Sequence, residues 1–197
     1  VGGIETLVER TGAPVYGPAR ESIPRRTAAL GGGDHVKLEP LGLGFEVIDV
    51  PGHTAGHIAY CGHGALFCGD TLFSAGCGRL FEGTPADMLG SLDRLLTLDP
   101  ATRMYCAHEY TASNLRFALA VEPANADLIA HADRVAEWRA HGRPSVPTAL
   151  GLERRINPFL RTRAATVRAA AERRAGRALV DDVAPFAVVR EWKNEFR

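Results

Sequence analysis

Three residues in this chain have the chemistry of metal ligands, and each follows a short apolar run. Val47-Ile48-Asp49-Val50 is broken by Pro51-Gly52 just before His53. Ala65-Leu66-Phe67-Cys68 runs into Gly69-Asp70, and Met104-Tyr105-Cys106 runs into Ala107-His108. Strands that end on a His or an Asp place donors on the loops at one edge of a sheet, where a rigid frame can hold them. Imidazole and carboxylate suit zinc, iron or manganese. By spacing alone three donors over this span are a weak signal. His57 shares the Gly52-His53-Thr54-Ala55-Gly56-His57 stretch and is read as a hydrogen-bonding neighbour of a ligand. His63 falls in a turn and is read as exposed; His35, His131 and His141 have no ligand context. Glu109, beside His108, is given no role because a strand-end neighbour points away.

The elements that must position these residues follow from periodicity. Ile4, Leu7 and Val8 lie on one face of a helix ending at Thr11, before Gly12-Ala13-Pro14, and Val15-Tyr16 is a short strand. Residues 17–34, rich in Arg, Pro and Gly, read as a helix-turn excursion closing in Gly31-Gly32-Gly33, which lacks the strand-to-helix context of a phosphate cradle. His35–Leu38 pairs with Phe45–Val50, whose two faces both carry apolar residues and mark it as interior. Ile58–Cys61 and Ala65–Cys68 flank Gly62-His63-Gly64, a hairpin signal. Pro85-Ala86-Asp87 opens a helix with Met88, Leu89, Leu92, Leu95 and Leu96 as its apolar stripe. Met104–Cys106 reads as the last strand. From Thr111 onward helical patterns dominate, over 112–121, 125–140, 164–175 and 185–196. The division falls near residue 109, giving a sheet-bearing part, 1–109, and a helical part, 110–197.

Bulk composition narrows the classes. The chain has 197 residues, 46% of them hydrophobic, and zero formal net charge, which points to neither nucleic acid nor a membrane surface. Residues 151–197 nevertheless hold eleven Arg or Lys against six Asp or Glu. That excess is either a set of solvated helix faces or a docking surface for an anionic substrate. Four cysteines, Cys61, Cys68, Cys77 and Cys106, form no C-x-x-C pair and read as free thiols of a reducing, cytoplasmic compartment. No apolar run is long enough to span a membrane, and no signal peptide is visible at the start.

Gly52–His57 together with Gly69-Asp70-Thr71-Leu72-Phe73, Gly76–Thr84, Tyr105–Thr111, Asn157-Pro158-Phe159 and the last eight residues resembles the hydroxyacylglutathione hydrolases (glyoxalase II) of the metallo-β-lactamase superfamily. The likeness runs over nearly the whole chain. It implies an α+β fold, the αββα sandwich of that superfamily lacking its first strands, followed by a small α-helical substrate-binding domain. It implies two divalent metals, zinc first and iron or manganese as alternatives, about 3.5–4 Å apart and sharing a water and a carboxylate. Carried over by motif, His53 is a ligand of one metal, Asp70 the bridging carboxylate and His108 a ligand of the other, with no catalytic residue separate from them. Arg79 and Tyr110 fall where the family contacts glutathione. Phe81 falls where some members carry Tyr, and so lacks a hydroxyl. Arg190 and Lys193, on one helix face, match a basic pair that clamps a carboxylate.

The resemblance further implies a monomer that hydrolyses S-2-hydroxyacylglutathione, such as lactoylglutathione. A persulfide dioxygenase or a lactonase of the same superfamily would share His53, Asp70 and His108. The family's T-H-x-H-x-D-H motif, which precedes a Val-Gly-Gly like Val1-Gly2-Gly3, is not in this sequence. The chain is therefore expected to be N-terminally incomplete, poorly stable and weakly active alone. It could equally be an inactive fragment or a module that binds glutathione conjugates.

Overall fold

The structure is a computed structural model that describes residues 2–196. Val1 and Arg197, the outermost residues of the terminal stretches read above, lie outside the described residues. The chain begins with helix α1 (Ile4–Thr11), closed as the sequence predicts by Gly12. Strands β1 (Tyr16–Pro18) and β2 (Ala28–Leu30) follow and pair in parallel. The helix-turn expected between 17 and 34 is absent. Pro18 and Pro24 interrupt any helical hydrogen bonding there, and the backbone finds its partners in strand pairing instead.

Strands β3 (His35–Leu38), β4 (Leu43–Asp49), β5 (Ile58–Gly62) and β6 (Ala65–Gly69) form an antiparallel meander. His63 and Gly64 make the β5–β6 turn with φ of 51° and 71°, the positive pair a two-residue hairpin needs. His63 Nε2 also accepts a hydrogen bond from the Gly44 amide at 3.0 Å. The chain then forms a two-stranded hairpin, β7 (Leu72–Phe73) and β8 (Gly76–Cys77), and helix α2 (Pro85–Leu95). Thr84 caps α2 through a reciprocal box with Asp87. Strand β9 (Arg103–Cys106) returns parallel to β6.

The helical part contributes α3 (Thr111–Val121), α4 (Ala126–Ala140), α5 (Leu150–Ile156), α6 (Ala165–Ala175) and α7 (Val183–Glu195). It also contributes β10 (Thr148–Ala149), antiparallel to β9, so Met104–Cys106 is not the last strand. The six-stranded sheet has the order β10-β9-β6-β5-β4-β3. In that order β4, β6 and β9 run in one direction, so their C-terminal ends, each leading to one predicted ligand, meet at one edge.

One face of this sheet is covered. Leu66, Cys68 and Met104 pack under Met88, Leu92 and Leu95 of α2, all fully buried, in a core that continues to Phe159 and Phe186 of the helical part. Arg163 adds a bidentate pair to Asp93 of α2 at 2.7 and 2.8 Å and a bond to Asp182. Over the opposite face lie β1 and β2, with Leu30 packed on Val36, Val47 and Ile58. Phe67 and Tyr105 stack there with ring centroids 5.0 Å apart and remain 42% and 37% exposed. Among the described residues no helix is long and apolar enough to cross a membrane.

Candidate active site

At the edge where β4, β6 and β9 end, a cavity of about 560 Å³ is lined by His53, Asp70 and His108 together with Arg79, Phe81, Tyr110, Arg190 and Lys193. All eight residues predicted from the sequence thus border one space. They come from the segments after β4, β6 and β9, from the segment between β8 and α2, and from α7. Asp70 Oδ1 lies 3.2 Å from His108 Nε2. His53 Nδ1 is 2.9 Å from the Arg79 carbonyl. A carbonyl only accepts, so Nδ1 carries the proton and Nε2 keeps a bare lone pair, the tautomer a metal ligand requires.

The neighbours of these donors fix them in place. The Asp70 amide donates to His57 Nε2 at 3.2 Å. That engages the lone pair a metal would need and places His57 behind the carboxylate, as read from the sequence. Burial lowers the His57 pKa, with the Glu21 carboxylate opposing, and keeps the ring a neutral acceptor. Gly69 has φ of 52°, and a Cβ there would sit 2.5 Å from His57 Nε2, so only glycine allows this approach. The Phe81 amide donates to the His53 carbonyl at 3.1 Å, and its ring lies 4.9 Å from the His53 ring. Tyr110 stacks on His108 at 4.8 Å. Glu109 turns away, accepting from the Ser145 amide at 2.9 Å and from its hydroxyl.

The two members of the basic pair differ in burial and partners. Lys193 borders the cavity with Nζ 3.3 Å from the Ser113 carbonyl and 5.2 Å above the Phe117 ring. Burial, reinforced by repulsion from Arg190, Arg116 and Arg79, pushes its pKa down to about 8. Arg190 is only 5% exposed. Its Nη1 donates to the carbonyls of Cys77 at 2.9 Å and Gly78 at 3.5 Å, and Nη2 to Asn194 Oδ1 at 3.1 Å. Both members of the predicted basic pair border the cavity, with different surroundings. Arg79 is exposed and Lys193 half-buried, while Arg190 is a buried floor whose donors face the Cys77 and Gly78 carbonyls and Asn194. Sequence reasoning missed Phe73 and Asn194, which also line the cavity. Phe73 lies 5.4 Å from Tyr110, and Asn194 sits one helical turn beyond Arg190. The i, i+4 step from Arg190 to Asn194 was the available signal.

Among the described residues no group of three or more His, Cys, Asp or Glu side chains converges tightly enough to hold a metal ion. A carboxylate–imidazole pair with a second, correctly protonated imidazole on the same cavity matches the donor chemistry of a zinc or iron site. It fits part of a ligand set, since three donors are fewer than two cations require.

Residues 1–108 match the metallo-beta-lactamase superfamily, and residues 109–196 match the hydroxyacylglutathione hydrolase C-terminus. A hydroxyacylglutathione hydrolase of Albidiferax ferrireducens is 55% identical over 200 residues, covering 99% of this chain and 77% of that protein. This chain belongs to the hydroxyacylglutathione hydrolase family. Among solved structures, ETHE1 from Myxococcus xanthus superposes with a TM-score of 0.62 at 26% identity, over 96% of this chain and 62% of that one. TTHA1623 in a di-iron-bound form superposes with a TM-score of 0.52 at 29% identity, over 81% and 71%. The fold is that of the superfamily followed by a helical domain, and membership implies a pair of divalent metal ions.

Proposed function

We propose that this chain cleaves S-2-hydroxyacylglutathione, such as lactoylglutathione, to glutathione and a 2-hydroxy acid. The observation that carries the reading is the placing of His53, Asp70 and His108 on the same cavity as Lys193, Arg79 and Tyr110. The first three offer donors for hard or borderline cations, and Lys193 and Arg79 offer positive charge for a carboxylate-bearing tail.

His53, through Nε2, together with Asp70 and His108 would hold the metals, zinc first and iron as the alternative that the di-iron-bound relative brings forward. The bound ions would bring a shared water toward neutral pKa and polarise a carbonyl oxygen. The chain's own residues do the rest. Arg79 and Lys193 attract glutathione's carboxylates, and the Arg190 charge adds to that field from below. Tyr110 and Phe81 present aromatic faces beside His108 and His53. The thioester's C–S bond is exchanged for a C–O bond, and the sulfur leaves as a thiolate that needs little protonation near neutral pH.

The test is release of free thiol from lactoylglutathione by the zinc-loaded chain. One thiol per thioester consumed, suppressed by a chelator, is the expected result. A buffer-level rate with two zinc ions bound per chain overturns the assignment.

The position of Lys193 adds a pH dependence. Below about pH 8 its amine is charged, and above that it becomes neutral. Affinity for the anionic substrate should therefore fall as pH rises through 8, seen as a rising KM. Lys193→Gln should start with a KM about tenfold higher and lose that rise, at the scale of one charge-assisted contact. A wild-type KM flat from pH 7 to 9 removes Lys193 from substrate binding.

A further inference from the structure

Helical-part side chains answer the backbone of one hairpin at the site. Asn157 Nδ2 donates to the Phe73 and Gly76 carbonyls, both at 3.0 Å. Asn114 Nδ2 donates to the Ser74 carbonyl at 3.0 Å, and Arg190 to Cys77. Glu153 is the acceptor of the group. Its carboxylate takes the Ser74 hydroxyl at 2.9 Å, the Ala75 amide at 2.7 Å and Asn157 Nδ2 at 3.2 Å.

Glu153 has no exposed surface, and burial raises its pKa against the pull of those donors. A carboxyl group in such a place is unfavourable unless its partners are met in full. An apolar side chain would serve packing as well. Ala75 supplies the reason for an acceptor. It is fully buried with φ of 54°, a left-handed conformation that residues with a Cβ rarely adopt. The turn needs an external hold, and Glu153 grips its amide.

The arms of this hairpin lead to the metal-binding side chains. β7 starts two residues after Asp70, and the Gly78 amide closes the base by donating to the Thr71 carbonyl at 3.1 Å. One residue beyond Gly78, the Arg79 carbonyl sets the His53 tautomer. Phe73 lies 6.1 Å from the His108 ring. We propose that Glu153 is a positioning residue of the hydrolytic site, holding the Ser74–Ala75 turn so that the hairpin presents Asp70 and the Arg79 carbonyl at fixed places. The inference rests on the hydrolase reading above.

Glu153→Gln keeps the hold, because its amide oxygen can accept from Ala75 and Asn157 while its NH₂ donates to Ser74 Oγ. Glu153→Leu removes it. Misplacing a reacting group by an ångström lowers rate by up to about 100-fold. Glu153→Leu should therefore lose at least about tenfold in kcat with KM moved less than about threefold, while Glu153→Gln keeps kcat within about threefold. Ser74→Ala, a milder change that leaves the fold intact, should lower kcat by roughly threefold.

Amide hydrogen exchange provides a readout without turnover. Glu153→Leu should expose the Ala75 amide and also the Asp70 amide that bonds His57. An unchanged kcat in Glu153→Leu, or equal losses in the Gln and Leu variants, overturns the positioning role. If Glu153→Leu does not fold, an unchanged kcat in Ser74→Ala does so. A wild-type chain without turnover overturns the hydrolase reading instead. Exchange then decides the positioning role: loosening confined to Ala75 with Asp70 unchanged overturns it, and loosening of both supports it.

Discussion

Gly78→Ala is expected to reduce kcat/KM by about 100-fold or more, the scale of an ångström's misplacement at a reacting centre. A Cβ on Gly78 would stand 1.9 Å from the Asp70 carbonyl oxygen and 3.3 Å from His53 Nδ1. The first of these is backbone and cannot swing aside. Either the Asp70 peptide shifts, carrying its carboxylate away from His108, or residue 78 retreats from its bonds to Thr71 and Arg190. Both routes disturb the metal-binding edge. Overpacking of this kind also destabilises by about 1–3 kcal/mol. Gly90→Ala is the control. Gly90 lies within α2, and the nearest atom to its added Cβ is Arg94 Nη2 at 3.9 Å, an ordinary van der Waals contact. That variant should be unchanged in activity and more stable by about 0.5–1 kcal/mol, from helix propensity. Steady-state kinetics and urea melts on the two variants check both statements. A Gly78→Ala enzyme with full activity would mean that the approach of residue 78 to Asp70 does not govern the site.

The strand ends that carry His53, Asp70 and His108 were legible because each apolar run is local and is closed by Pro-Gly, by Gly or by Ala just ahead of its ligand. The β5–β6 turn was legible for the same reason, and so was α2, whose cap and stripe are both written within a dozen residues. What the sequence hid depends on distant partners. β10 is two residues long and exists because Thr148 and Ala149 find Met104 and Arg103. α5 has seven residues, too few for a periodic signal to stand out. Residues 17–34 look irregular in isolation, yet Tyr16–Pro18 pairs with Ala28–Leu30.

Arg190 and Glu153 make the same point at the site. By residue type both should face water. Arg190 is buried because Cys77 and Gly78 offer carbonyls from more than a hundred residues away, and Glu153 because Ala75 has an amide to satisfy. The i, i+3 spacing correctly placed Arg190 and Lys193 on one helix face. It carried no information about which of them would be exposed. The sequence division at residue 109 marks a change of pattern, while in space the core under β6 and β9 continues into α6 and α7.

His131 gave no chemical signal in the sequence, yet it should dominate the acid stability of the helical part. It is 2% exposed on α4, in the region packed by Leu128 and Val135, with its ring 6.2 Å from Trp138. Neither ring nitrogen has a hydrogen-bond partner. Burial, helped by the Arg134 charge, lowers its pKa from 6.5 to about 4. The unfolded chain therefore binds a proton near pH 6.5 that the folded chain refuses until about pH 4. Stability from this group is complete above pH 6.5 and is lost as pH falls toward 4. The full loss is about 3 kcal/mol, with about 2 kcal/mol gone by pH 5. His131→Leu removes the titration and leaves no unpartnered ring nitrogens in the core. It should match or exceed wild-type stability at pH 7 and exceed it by about a further 2 kcal/mol at pH 5. Urea midpoints for the two proteins at both pH values check this. A wild-type-minus-variant difference that does not change between pH 7 and 5 would mean that His131 takes up its proton in the folded chain as readily as in the unfolded one, so that its burial is relieved by water or by local opening of α4.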